Sequence, residues 1–254
     1  IPEKKKIFSK DFFEEDKKIF HAQSNIYFSQ CNANKDLSLH ELLKITSDIA
    51  VEDYRQRGMS REILKDNGFG ILVSRCSYRI HQWPKENQFI EVETWEEKPQ
   101  ALQFMRGYRI LDENKNVLVS GKSSWLLVDI NERRILPLKK FTLRTPPEFC
   151  IELNCDKPDK ILQPEKSELW DTRTIKFSDL DANGHTNNAR YAAFVEDAIP
   201  EEFRGRKPKD FKINFAKEAM LNDKVEIFGF KEENKITFLG KTPESVSFEA
   251  IISY

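Results

Sequence analysis

Toward the end of the chain, Val246, Phe248, Ala250 and Ile252 fall on one side of an alternating run, the period-two signature of a strand with one covered face. The same period, broken by turn residues, predicts strands near 71–80, 89–95, 102–111 and 117–129, and again near 171–177, 211–215, 224–230 and 235–239. A further strand is expected over 25–31. Two stretches switch to a helical period. Over 37–57 the apolar stripe is Leu39, Leu42, Leu43, Ile45, Ile49 and Ala50. Over 187–199 it comes from Ala189, Ala192, Ala193, Phe194 and Val195, with Thr186 as the expected N-cap and Pro200 as the stop. Each half therefore reads as a strand, a helix and a set of alternating strands, an α+β arrangement in which a sheet wraps a helix twice. Between the halves Pro137, Pro146, Pro147, Pro158 and Pro164 mark a crossing segment, which divides the chain into 1–142, a linker 143–165, and 166–254.

The two halves are related in sequence as well as in order. Residues 28–36 align without gaps on 177–185, and each copy leads into a helix carrying Val-Glu-Asp, at Val51, Glu52, Asp53 and at Val195, Glu196, Asp197. Residues 75–95 likewise align on 210–230, which sets Trp83 against Glu218. At the first of these alignments Asn32 matches Asp181 and Asp36 matches His185. A carboxylate and an imidazole occur together only in the second copy, so one catalytic centre per chain is expected.

That second copy holds the densest chemistry in the chain. The run from Asp179 to Tyr191 places Asp179, Asp181, Asn183, His185, Asn187 and Asn188 in a turn that opens a helix. A water-activating centre needs a carboxylate to orient an imidazole, a neutral group to hold water or a carbonyl, and donors for developing negative charge. The helix start from Thr186 to Asn188 could supply such donors. The alternative is an Asx-rich turn whose side chains satisfy only their own backbone. Glu218 ends an alternating strand, and sequence alone does not bring it to His185.

Composition narrows the classes. With 254 residues, 39% hydrophobic content and 19 phenylalanines, the chain can bury a substantial core, and its net charge of −1 argues against general nucleic-acid binding. No run reaches the length of a membrane span, and Ile1 to Lys6 has no apolar signal region, so an intracellular, cytoplasmic protein is expected, or a plastid-stromal one in a plant. Cys31, Cys76, Cys150 and Cys155 lack metal-site spacing and an adjacent base; neither a zinc site, a disulfide framework nor a cysteine nucleophile is indicated, and they read as small hydrophobes.

Asp181-x-Asn183-x-His185, followed by Asn187, Asn188 and Tyr191 and by Glu218 downstream, resembles the acyl-acyl carrier protein thioesterases of the FatA and FatB type and their bacterial relatives. The run 73–80, Pro84, the run 90–95, and Trp125 with Arg133 and Arg134 resemble the amino-terminal half of the same family. The resemblance implies a double hotdog fold, an acyl-chain pocket in the first repeat, no cofactor or metal, and a site made of Asp181, Asn183, His185 and Glu218. Plant members often carry a cysteine directly after the position of Glu218; here it is Ala219, so a thiol there is not essential. The implied chemistry is thioester hydrolysis. The acyl carbonyl would lie at Thr186 to Asn188, Asn183 and His185 would position thioester and water, and Asp181 or Glu218 would accept the proton; direct attack by Asp181 to give an anhydride stays open. Acyl carrier protein is the implied partner, to a monomer or homodimer, and Arg204, Arg206 and Lys209 are a candidate basic docking cluster, with Lys4 to Lys6 and Lys139 and Lys140 as alternatives. An acyl-CoA thioesterase, a hotdog dehydratase and a non-catalytic acyl-binding module are the rival readings.

Overall fold

The computed structural model describes residues 10–13, 18–100 and 102–254, so Lys4 to Lys6 lie outside the described residues. The first half comprises β1 (Lys10–Phe13), β2 (Phe20–Asn25), α1 (Leu39–Gln56), α2 (Arg61–Asp66), β3 (Phe69–Ile80), β4 (Phe89–Gln100), β5 (Gln103–Leu111), β6 (Val117–Asp129) and β7 (Arg134–Ile135). The second comprises β8 (Glu168–Thr174), α3 (Asn188–Asp197), α4 (Glu201–Arg204), β9 (Asp210–Phe215), β10 (Lys224–Lys231), β11 (Lys235–Lys241) and β12 (Val246–Ser253). All the strands join one antiparallel sheet in the order β1-β2-β4-β5-β6-β3-β9-β12-β11-β10-β8, with β7 on β6.

The join between the halves is the β3–β9 pair, where Ser77 faces Lys212. Those two residues are each other's match in the sequence alignment, so the duplication is a pseudo-twofold whose axis crosses the centre of the sheet. Each half wraps its own helix. α1 buries Leu39, Leu42, Leu43, Ile49 and Ala50 against Ile90, Val92 and Ile110, while α3 buries Tyr191, Phe194 and Val195 against Phe211, Phe238 and Phe248. Burying these faces is the main stabilising term, at about 1.5–3 kcal/mol per large apolar side chain. Two helices inside one continuous sheet make this the double hotdog arrangement. α1 also packs on α3, and the Glu196 carboxylate accepts from the Leu39 and His40 N–H groups (3.0 and 3.3 Å) at the start of α1. Beneath the C-terminal end of α1, Asp53 and Arg106 form a fully buried ion pair at 2.7 Å.

Residues 141–167 contain no helix or strand: Phe141 packs into the core on Phe69 and Phe104 and Arg144 lies over the Tyr54 ring of α1, and further along Phe149 O accepts from Lys98 N and Asp156 pairs with Lys212. Among the described residues no helix is long and apolar enough to cross a membrane.

Two expectations need correction. The strand expected over 25–31 is a short 3-10 turn, Phe28–Gln30, following β2, and the strand over 171–177 ends at Thr174, before an equivalent turn at Phe177–Asp179. Phe28 and Phe177 look like buried strand residues in sequence but are 79% and 83% exposed. Each turn is instead held by polar closure: Gln30 Oε1 accepts from Tyr27 N, and Asp179 Oδ2 accepts from Lys176 N, both at 2.9 Å.

Candidate active site

The catalytic-type turn and its first-half twin share one backbone. Asp181 N donates to His185 O and Asn32 N to Asp36 O, both at 2.8 Å, and both turns close with a left-handed residue, Gly184 (φ 82°) or Lys35 (φ 60°). In each, the residue two before the helix is tethered to the loop after the central strand: Thr186 N to Ala219 O, and Leu37 N to Pro84 O. This tether places the end of β9 beside the turn. His185 Nδ1 then meets Glu218 Oε1 at 3.2 Å, with side chains 27% and 42% exposed. The twin has nothing similar. Asp36 is buried against Lys85 and Lys207, and the Trp83 indole donates to Pro208 O.

Asp181 occupies a different place from the one expected. Its Oδ1 accepts from the backbone N–H groups of Asn183 (2.7 Å) and His185 (3.3 Å), the Asx closure that Asn32 Oδ1 makes with Asn34 and Asp36 in the twin. Its Oδ2 accepts from Asn183 Nδ2 at 3.1 Å. The carboxylate that faces the imidazole is therefore Glu218, and Asp181 shapes the turn and holds Asn183. Asp179 is buried, capping the 3-10 turn and pairing with Arg190 at 2.8 Å.

The helix start also departs from expectation. Asn187, not Thr186, caps α3, its Oδ1 accepting from Ala189 N at 2.9 Å, because Thr186 is buried and its hydroxyl donates to Ala219 O at 2.7 Å. The Thr186 N–H is taken by Ala219 O and that of Asn187 by Asp179 O, so neither can hold an oxyanion. Asn188 is the first residue of α3.

Two further residues touch the turn and the segment carrying Glu218: Tyr191, which the sequence motif included without a role, and Arg61, which it did not point to. Tyr191 is buried, and its hydroxyl accepts from Ala219 N at 3.0 Å, which fixes the segment carrying Glu218; burial raises its phenol above the usual value. Its place one helical turn after the motif could have suggested an inward role. Arg61, at the start of α2 in the other half, donates to Asn183 Oδ1, a contact across the duplication that no local pattern signals.

The basic cluster is not brought to this site. Ile80 N donates to Lys209 O at the far end of the β3–β9 pair, and β9 then runs to Phe215 before the segment carrying Glu218, so the strand alone puts about 20 Å between Lys209 and that end at ~3.3 Å per residue. Arg206 donates to Glu233 O and Asn234 Oδ1 and lies over the Phe203 and Tyr254 rings, while Arg204 donates to Ile199 O. The cluster borders the twin turn, where Arg204 O accepts from Asn34.

The cysteines stand apart as well. All four are free thiols, and burial raises each of them, Cys76 to about 12 and Cys155 to about 11, which keeps them protonated at neutral pH. Cys150 is exposed, against the expectation of a buried hydrophobe. Elsewhere, His21, Glu91 and Glu93 bring metal-capable atoms within 4.8 Å, but Lys115 and Arg109 already neutralise the two carboxylates at 2.6 and 2.7 Å.

Comparison with known proteins places this geometry in context. The model of the acyl-ACP thioesterase N-terminal domain matches residues 17–143, and that of the acyl-ACP thioesterase C-terminal domain matches residues 163–246. An acyl-[acyl-carrier-protein] hydrolase of Cuphea viscosissima is 22% identical over 72% of this chain and 48% of its own length. A chloroplastic oleoyl-acyl carrier protein thioesterase of Arabidopsis thaliana is 21% identical over 76% of this chain and 58% of its own. The chain thus spans about half the length of the curated relatives it matches. Among solved structures, an acyl-ACP thioesterase from Bacteroides thetaiotaomicron superposes with a TM-score of 0.80 at 22% identity, covering 95% of this chain and 99% of that one. The 12:0-ACP thioesterase from Umbellularia californica gives 0.77 at 15% identity, covering 92% and 96%.

Proposed function

This chain belongs to the acyl-ACP thioesterase family, and from that premise we propose that it hydrolyses the thioester of fatty acyl groups on acyl carrier protein, releasing the free fatty acid and the carrier thiol. The observation that carries the reading is the His185–Glu218 pair, assembled in one copy of a duplicated fold and replaced in the other by Asp36 and Trp83. Glu218 on Nδ1 leaves Nε2 of His185 to take a proton from water. Water adds to the thioester carbonyl, the C–S bond breaks, and the proton passes to the departing thiolate. Glu218 stabilises the imidazolium that forms between these steps.

Asn183, two residues before His185 in the same turn, is the candidate donor toward the carbonyl oxygen, with the Asn188 amide at the head of α3. Both oxygens of Asp181 are engaged by donors, which supports a positioning role over direct nucleophilic attack. For the carrier, the candidate docking cations are those on the elements bordering the site, Lys176 and Lys217, both exposed. Incubation with acyl carrier protein bearing saturated chains of graded length, with matched acyl-CoA in parallel, tests the proposal. Release of fatty acid and thiol from the carrier substrates supports it, turnover of acyl-CoA alone moves the activity to the other thioester class, and no release from either overturns it.

A further inference from the structure

We infer that Arg61, contributed by the first half, is a positioning residue for the catalytic turn of the second. The inference rests on the hydrolase reading above. A guanidinium only donates, so the Asn183 atom facing Arg61 is the carbonyl oxygen, and the NH2 group is turned to Asp181 Oδ2 at 3.1 Å. Asn183 sits at an exposed loop tip, where a carboxamide held at one end can swing. Held at both ends, its remaining N–H has a fixed direction, and a donor aimed at a developing oxyanion is effective only if it needs no reorganisation at the moment of reaction.

The twin turn provides an internal comparison. Asn34, the match of Asn183, donates its NH2 at 3.4 Å to the backbone carbonyl of Arg204. There the carboxamide serves as a donor to main chain, and the neighbouring arginine side chain turns away to Ile199 O. The guanidinium-to-carboxamide contact thus accompanies the copy that holds His185 and Glu218. It also requires both halves: α2 follows α1 and leads into β3, so the N-terminal half supplies one anchor of a site built otherwise from the C-terminal half.

The test is steady-state kinetics of Arg61→Met and Arg61→Lys on a small carrier-free acyl thioester and on acylated carrier protein, with Arg61→Met also made in an Asn183→Ala background. Loss of one anchor should lower kcat about tenfold with KM little changed, since misplacement of a catalytic donor acts on the transition state. Arg61→Lys, which keeps a donor, should recover part of the loss, and in the Asn183→Ala background Arg61→Met should add nothing. Unchanged kcat, additive losses in the double variant, or a rise in KM confined to carrier-bound substrates would overturn the inference. Side-chain amide resonances of Asn183 read the same contact without turnover: they should shift and broaden in Arg61→Met. A wild-type chain inactive on every thioester would sink the hydrolase reading, while those resonances would still report on the contact.

Discussion

Replacing Glu218 with glutamine removes a charge while keeping an oxygen that can accept from His185 Nδ1. The pair is separated by 3.2 Å and is partly open to solvent, 27% on the histidine side and 42% on the glutamate side. At that separation an imidazolium and a carboxylate attract by about 1.3 kcal/mol in a medium of dielectric ~80 and about 2.6 kcal/mol at ~40, the range suited to so exposed a pair. That attraction exists only once His185 has taken a proton, so its loss falls on the transition state and lowers kcat roughly ten- to eightyfold, with KM nearly constant. A discontinuous assay of free thiol from a saturated acyl thioester, at substrate concentrations spanning KM, measures both constants. Because Glu218 is exposed, in irregular chain three residues beyond the end of β9, the melting temperature should not move. A Glu218→Gln variant within about twofold of wild type, alongside an inactive His185→Ala, would refute the claim that the pair works as a unit.

The twin turn should be catalytically silent: Asn32→Ala leaves turnover unchanged, and Asp36→Ala, which strips a buried carboxylate from Lys85 and Lys207, lowers the melting temperature but not the turnover of the folded fraction. Burial pushes the Glu196 carboxyl up to about 7 from an ordinary 4.5, so folding takes up a proton between those values and wild-type stability is lost as pH rises through that window. Glu196→Gln lacks this loss, and chemical denaturation should show its stability relative to wild type rising from pH 4.5 to 7, by at most about 3 kcal/mol, then levelling; a flat difference would contradict it. Neutralising Lys176 and Lys217 together should raise KM for carrier-bound substrates and flatten its salt dependence, whereas neutralising Arg204, Arg206 and Lys209, which border the twin turn, should do neither. The reverse pattern would return docking to that cluster.

Much of the architecture was legible because its causes are periodic. Helix α1 and strands β3, β5 and β6 lie within two residues of expectation, since their apolar faces are long and regular. The duplication was legible too, although that its matched residues Ser77 and Lys212 pair at the centre of the sheet emerged only from the structure. The 3-10 turns were missed because exposed Phe28 and Phe177 mimic a strand's buried face, while the stabilising contacts are side-chain-to-backbone bonds with no period. In the site, the sequence singled out Asp181, Asn183, His185 and Glu218, but their partners depended on three dimensions. The neighbour of His185 in space comes from 33 residues downstream, and the anchor of Asn183 from 122 residues upstream. The basic cluster looked adjacent because it follows α3 in sequence, yet the chain carries it to the opposite end of the central strands.

The most direct test of the account is the joint release of free fatty acid and carrier thiol from acylated acyl carrier protein by the wild-type chain and by His185→Ala. Equimolar release of both products by wild type, reduced at least about a hundredfold in His185→Ala with the fold intact, is the expected result for a histidine-centred hydrolase. Absence of release from every acyl chain offered, or release undiminished in His185→Ala, would contradict it.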